Sequence, residues 1–332
     1  MADFSNGLTG SSPVGGRSET DEAGSDLTAM TTERILILGG AGFLASHLVR
    51  EFLNRDRLVG IIDGLVEGTG GTEAHLAPWR EKLAFAHLER VELVLALAER
   101  LQWADCIVNA MAFTGHLVGF DRPMVDVTSN LLCHLHLIQA LKCCKGKKVI
   151  YLGTRSQYGA VAGNVITEQS PCDPLDPQGI NKLAAEHFFR IYSRSHGFHT
   201  LSLRLTNCYG PQQRTTGETG LVGSFIQDTL ADRPIEIFGS AKRRKNLLYA
   251  QDAARIIADL AEKPWEGFHV FNVGGAEVTI RELLEEIFRA AGKGSYSVKP
   301  FPEHVKRIDV GEARFCDDQL RAFLGQPSMT PL

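Results

Sequence analysis

Long apolar runs are missing from this 332-residue sequence. The longest, such as Ile35–Leu38 and Val149–Leu152, fall far short of the roughly 20 residues needed to cross a bilayer, so no membrane partner is expected. Strong charge of either sign is missing as well. Thirty-five Lys and Arg against 39 Asp and Glu leave a formal charge of -4, which gives no electrostatic reason to expect nucleic acid or an anionic surface as a partner. The seven cysteines, an odd number, include the neighbours Cys143 and Cys144 but no C-x-x-C spacing. Neither a disulfide framework nor a metal site is suggested, and a reduced, cytoplasmic protein is the simplest reading. Residues 1–31 are rich in Gly, Ser, Thr and acids and lack the basic start and apolar core of a signal peptide. They read as a disordered N-terminal extension.

From Arg34 onward the chain alternates between two textures. The apolar run at Arg34–Leu38 leads into glycines and then an amphipathic segment, Phe43–Phe52. Leu58–Ile62, Cys106–Asn109, Val149–Leu152 and Thr200–Leu205 are further buried-type runs, with helical periodicity near 125–144 and 179–195. Strands alternating with helices of ten or more residues predict an α/β fold with a doubly wound, Rossmann-type parallel sheet. The texture shortens after Pro211: a helix near Val222–Ala231, a strand at Ile235–Phe238, and helices near Asp252–Glu262 and Ile280–Ala291. The expected organisation is a dinucleotide-binding domain over 32–210 and a smaller interleaved lobe over 211–332 that covers the substrate.

Gly39-Gly-Ala-Gly42-Phe43-Leu44-Ala45 sits between a strand and a helix. Glycine there lets a pyrophosphate approach the free N–H groups of the helix N-terminus. Asp63 closes the next strand at roughly the 20-residue spacing expected of a ribose-binding carboxylate, with Gly64 beside it. An acid at that position repels a 2′-phosphate and so favours NAD over NADP. Ala45 in place of a third glycine is compatible, because that position serves helix–sheet packing. The acidic pair expected to touch adenine after the third strand is replaced by Phe85–Glu89.

Taken together, Gly39–Ala45, Asp121-Arg-Pro123 with Asn130, Gly153–Gly159, Pro177–Lys182, Arg204–Pro211 and Tyr249–Asp252 resemble the extended short-chain dehydrogenases/reductases, the NAD-dependent nucleotide-sugar epimerases and dehydratases. The resemblance covers nearly all of residues 33–325. It implies that Thr154 is the catalytic hydroxyl, that Lys182 holds the nicotinamide ribose, and that Ala110, Met111 and Ala112 border the nicotinamide. In that family a Tyr stands four residues before the Lys. Here the position holds Gln178, and an amide cannot exchange a proton near neutral pH. Three replacements are open: His116 in the loop after the fourth strand, whose imidazole titrates in the right range; Tyr158; or a water relayed by Gln178 and Thr154. Arg155 and Ser156 stand where dehydratases carry an Asp–Glu pair, which argues against 4,6-dehydration and suits an anionic or enolate-like oxygen.

For the substrate lobe the resemblance places Asn207 and Lys245 at the nucleotide diphosphate, Lys245 where relatives carry an arginine and with Arg243 able to compensate, and Tyr249 among the substrate-binding residues. Helices near 125–141 and 179–195 are apolar on more than one face, and the resemblance implies a homodimer through them, with His134 and His136 as packing or interface residues. The function expected is NAD-dependent epimerisation of a nucleotide sugar, at C4 through a transient keto-sugar. Net dehydrogenation, reduction or dehydration of such a sugar, and a pseudoenzyme that only binds it, are the alternatives.

Overall fold

The computed structural model describes residues 33–331 except 162, 164, 215–219 and 307; the expected N-terminal extension, residues 1–31, lies outside the described residues. Apolar runs form β1 (Arg34–Leu38), β2 (Leu58–Ile62), β3 (Phe85–His87), β4 (Cys106–Asn109) and β5 (Lys148–Thr154). Among them lie α1 (Phe43–Asn54), α2 (Leu97–Trp103), α3 (His116–Asp121), α4 (Pro123–Val127) and α5 (Cys133–Leu141). Then come β6 (Val165–Ile166), α6 (Pro177–His196), β7 (His199–Leu205), β8 (Asn207–Tyr209), α7 (Leu221–Leu230), β9 (Ile235–Phe238) and β10 (Arg244–Tyr249). The remaining elements are α8 (Ala250–Glu262), β11 (Phe268–Val273), β12 (Ala276–Thr279), α9 (Ile280–Ala291), β13 (Tyr296–Lys299), α10 (Glu303–Lys306), β14 (Arg314–Phe315) and α11 (Asp318–Leu324). No helix among the described residues is long and apolar enough to cross a membrane.

Seven strands form one parallel sheet in the order β11-β7-β5-β4-β1-β2-β3. Strand order reverses between β1 and β4, and such a reversal opens a crevice at the carboxyl ends of the strands. The alternation of β1 explains why both faces are covered. Ile35 and Ile37 pack with Leu48 and Phe52 of α1 and Ile257 of α8, whereas Leu36 and Leu38 pack with Leu137 and Leu141 of α5 and Phe189 of α6. β11 is a strand of this sheet that the sequence did not announce. It is mostly apolar, but it follows about sixty residues of smaller elements and joins the edge only by pairing in parallel with β7.

A second difference lies in the helix expected over 125–144. It is interrupted by a π-helical turn, Thr128–Leu132, between α4 and α5. The turn carries Asn130, whose amide grips the backbone of Phe113 on both sides: its Oδ1 accepts from the Phe113 N–H at 3.0 Å and its Nδ2 donates to the Phe113 carbonyl at 2.9 Å. One extra residue shifts the helical phase by about 100°, but a segment apolar on more than one face hides that shift in the sequence.

Helix α6 buries Gln178, Lys182 and Glu186 at four-residue spacing, hence on one face. Glu186 is almost fully enclosed, and Arg204 of β7 reaches it with two nitrogens, at 3.0 and 2.5 Å. Ser202 Oγ and Gln157 Nε2 also donate to Glu186 Oε2, at 2.6 and 2.9 Å. Burial alone raises the Glu186 carboxyl, but Arg204 and these donors together hold it below the ordinary carboxylate range. Removing one member of such a pair strands a buried charge. Glu186→Ala should therefore cost about 3–5 kcal/mol, read as a lowered urea midpoint, and replacing both partners by apolar residues (Glu186→Leu with Arg204→Met) should recover most of that loss.

Candidate active site

A cleft of about 950 Å³ opens at the carboxyl ends of β1, β4 and β5. One end is built by the turn after β1. Gly39 has φ +76°, and a Cβ there would lie 2.9 Å from the Met111 nitrogen, so only glycine fits. Asp63 at the end of β2 is buried and ties this turn in place. Its Oδ2 accepts from the Ala41 N–H at 2.8 Å and its Oδ1 from the Leu65 N–H at 2.7 Å. Gly39, Gly42, Phe43, Leu44, Asp63 and Gly64 all line the cleft, and Ala110, Met111 and Ala112 from the loop after β4 continue its wall. A bare turn, a helix N-terminus and a buried acid arranged in this way fit a dinucleotide.

The middle of the cleft gathers Thr154, Gln178, Lys182 and His116. Thr154 ends β5 and caps the 3-10 turn Arg155–Gln157. Its N–H donates to Gln157 Oε1 at 2.8 Å, while its hydroxyl oxygen accepts from the Ser156 N–H at 3.3 Å. Since Gln157 also donates to Glu186, the pose of Thr154 is set from α6. Gly179 makes that contact tight: a Cβ there would lie 2.6 Å from the Ser156 carbonyl oxygen.

Lys182 is buried and donates from Nζ to the carbonyls of Leu152 at 2.9 Å and Met111 at 3.1 Å. Two of its three N–H groups are thereby used. Burial pushes its pKa from an ordinary 10.5 down to about 8, with Cys133 and Asp126 opposing the shift. Gln178 is also buried; its Nε2 donates to the Phe113 carbonyl at 3.0 Å, and its Oε1 has no partner among the described residues. His116, the first residue of α3, has Nδ1 3.0 Å from Asp176 Oδ2. Asp176 is in turn the N-cap of α6 and accepts from the Gly179 N–H at 2.7 Å through Oδ1.

Asn207 and Lys245 line the cleft on the side of the smaller sheet β12-β10-β8. Burial lowers the Lys245 pKa, and nearby Arg243 and Arg155 lower it further, while Asp309 opposes them.

Five expected site residues stand outside the lining of the cleft. Tyr158 is fully buried, donates its hydroxyl to Asn272 Oδ1 at 2.6 Å and packs under the Arg204 guanidinium. Burial pushes its pKa up to about 12, and its hydroxyl is spent on a framework contact outside the cleft lining. Arg243 is consumed by Asp309 at 2.6 Å and stacks on Phe301, Tyr249 packs on Tyr209, and Ser156 is engaged with Thr154 in the capping turn. Arg155 follows Thr154 away from the lining, and burial lowers its pKa. His134 is buried against Tyr151 and within hydrogen-bond distance of Asn109, a packing position.

Several lining residues escaped the sequence. Arg90, Val91 and Glu92 stand in the wall where Phe85–Glu89 gave no adenine signal, and Val305 and Ile308 close the far side. Asp176 carried one legible sign, its place ahead of Pro177 as a helix N-cap. Its partnership with His116, 60 residues away, carried none.

Lys182 generates a pH prediction. Between about pH 8 and 10.5 the folded chain has released a proton that the unfolded chain still holds, so the stability contributed at this site rises with pH across that window. Below pH 8 both states are protonated and the cost of burying the charge stands in full. Wild-type protein should gain on Lys182→Met by about 2 kcal/mol between pH 7 and pH 9.5, measured by urea unfolding.

Comparison with known proteins agrees with this geometry. The profile of the NAD dependent epimerase/dehydratase family matches residues 35–274. The UDP-glucose 4-epimerase of Mycolicibacterium smegmatis is 29% identical over 303 residues, covering 89% of this chain and 94% of that protein. A putative UDP-glucose 4-epimerase of Methanocaldococcus jannaschii is 27% identical, covering 82% of this chain and 88% of its own length. Among solved structures, the UDP-glucose 4-epimerase of Thermus thermophilus in complex with NAD superposes with a TM-score of 0.77 at 29% identity, covering 90% of this chain and 95% of that one.

Proposed function

The chain belongs to the NAD-dependent epimerase/dehydratase family, and we propose that within it this protein epimerises a nucleotide-activated sugar at C4 through a transient keto-sugar. The observation that carries this reading is the shared cleft: Thr154, Gln178, Lys182 and His116 lie between a dinucleotide turn and the Asn207–Lys245 wall. NAD, when bound, supplies the acceptor that oxidises the sugar carbon and the donor that reduces it again.

The side chains divide the remaining work. The Thr154 hydroxyl orients the reacting oxygen of the sugar. Lys182, with one N–H left after its two carbonyl partners, holds the nicotinamide ribose. His116 carries the proton of the reacting hydroxyl. Asp176 accepts from its Nδ1–H, which fixes the ring tautomer, makes Nε2 the basic nitrogen and stabilises the imidazolium once it forms. Asp176 thus does for His116 what a carboxylate does for histidine in other acid–base sites. Asn207 and Lys245 bind the diphosphate, Lys245 as a point charge and not as a bidentate fork.

The purified protein should hold NAD and invert one nucleotide sugar of a UDP-, dTDP-, GDP- and CDP-hexose panel without incorporating solvent deuterium at the inverted carbon. His116→Ala should lower kcat about 100-fold, and Asp176→Asn should move the pH profile of kcat/KM. Absence of any NAD affinity defeats the reading, and unchanged turnover in His116→Ala removes the assigned proton carrier.

We also propose that the protein is a homodimer through α3–α5 and α6. Met124, Phe120, Ile180 and Ile191 are exposed apolar residues on these helices, with Leu117, Leu132 and Phe188 around them. Exposed apolar residues on helices that pack together suit a protein-contact surface. Light scattering after size exclusion should give twice the 36.4 kDa chain mass, and Ile180→Glu with Ile191→Glu should give the monomer; a monomeric wild type overturns the assignment.

A further inference from the structure

Two loops border the dinucleotide end of the cleft, and both are pinned close to the glycine turn. The first, residues 64–72, follows β2. Asp63 at its start accepts from the Ala41 N–H, and the Thr72 N–H at its end donates to the Ala41 carbonyl at 3.1 Å. Thr69 gathers the middle of this loop, donating to the Val66 carbonyl from its N–H at 3.1 Å and its hydroxyl at 2.7 Å. The second loop, residues 210–214, follows β8 and is fastened to α1. Ser46 Oγ donates to Gln212 Oε1 at 2.5 Å, and His47 Nε2 lies 3.0 Å from the Pro211 carbonyl oxygen. Val66, Thr69 and Gly71 of the first loop and Gln213 of the second line the cleft.

One side chain joins the two loops. Arg214 Nη1 donates to the Gly68 carbonyl at 3.0 Å, across 146 positions of sequence. Its stem lies against Gly70, where a Cβ would come 2.8 Å from Arg214 Cδ. Gly68, Gly70 and Arg214 stand outside the lining although their neighbours are in it, so this contact runs along the outer side of the cavity. The result is a closed ring of chain that passes from the glycine turn through the first loop, Arg214, the second loop and α1 back to the turn. The Arg214 contact is exposed, whereas those of Asp63, Ser46 and His47 are buried or half-buried. It is therefore the joint that opens at the lowest cost.

We propose that Arg214 is the latch of the dinucleotide site: it closes this ring beside the N-terminus of α1 and keeps the cofactor in place between its two hydride transfers. The proposal rests on the cleft being the site of NAD-dependent epimerisation. In that reaction the hydride taken from the sugar has to come back from the same dinucleotide. Escape of the reduced cofactor at the midpoint leaves one keto-sugar, one NADH and one proton for each sugar and NAD consumed. Arg214 thus favours inversion over net oxidation by retention, as a positioning residue and not a catalytic one.

Arg214→Met keeps the stem and removes the donors, and Arg214→Lys restores a donor of similar reach. Protein loaded with NADH is chased with excess NAD, and the decay of bound-NADH fluorescence gives the release rate. Arg214→Met should release NADH about fivefold faster than wild type, with Arg214→Lys between the two. The ligand-free melting temperature should stay unchanged, because the contact is exposed. Given the nucleotide sugar that the wild type inverts, Arg214→Met should also build up free NADH together with keto-sugar. Release from Arg214→Met within about twofold of wild type overturns the proposal. So does equally fast release from both variants accompanied by a lower ligand-free melting temperature, which marks Arg214 as structural. A wild-type protein that binds neither NADH nor NAD instead overturns the functional reading on which the proposal rests.

Discussion

The buried ion pair of Glu186 and Arg204 is the constraint from which the geometry of the cleft descends. Glu186 lies on α6 one turn beyond Lys182, and Arg204 lies in β7 of the main sheet. Their contact clamps the helix that carries Gln178 and Lys182 onto the strands that carry Thr154. Gln157 extends the clamp, giving its amide hydrogen to Glu186 and its oxygen to the N–H of Thr154. A hydrophobic contact would hold the helix to the sheet as firmly but would leave it free to slide. Charge-assisted bonds with fixed directions permit one register.

Within that frame the cleft is lined by groups whose polar capacity is only partly used. Lys182 keeps one N–H and Gln178 keeps one oxygen. Placing such atoms out of water is costly, and the cost is offset when a ligand satisfies them. The same logic separates Tyr158 from the site. Its hydroxyl is already satisfied by Asn272 and its ring by Arg204 and Phe315, so it has nothing left to offer a substrate.

Gln178, at the position where the resemblance implies a tyrosine, shows how far single residues can be read in isolation. The sequence revealed the departure and narrowed the proton carrier to His116, Tyr158 or a relayed water, but could not rank them by contact. Tyr158 fell out on burial. His116 gained Asp176, a residue whose only local sign was a helix cap. Arg155, Arg243 and Tyr249 were assigned to the substrate by resemblance, yet a resemblance fixes only a position along the chain. Whether a long side chain turns to the cleft or to an acid behind it depends on neighbours such as Asp309 and Phe301.

The sequence by itself determined the alternating α/β order, the glycine turn with Asp63, and the four-residue spacing that puts Gln178 and Lys182 on one helical face. Each of these comes from local rules: the period of a strand or helix, the steric freedom of glycine, the chemistry of a turn. Tertiary structure alone decided that β11 completes the sheet, that Asn130 on a π turn holds Phe113, that Asp176 orients His116, and that Gln178 keeps an unpartnered oxygen. These depend on contacts between residues 17 to 68 positions apart. No local preference encodes such a contact, because its free energy exists only once both elements are packed.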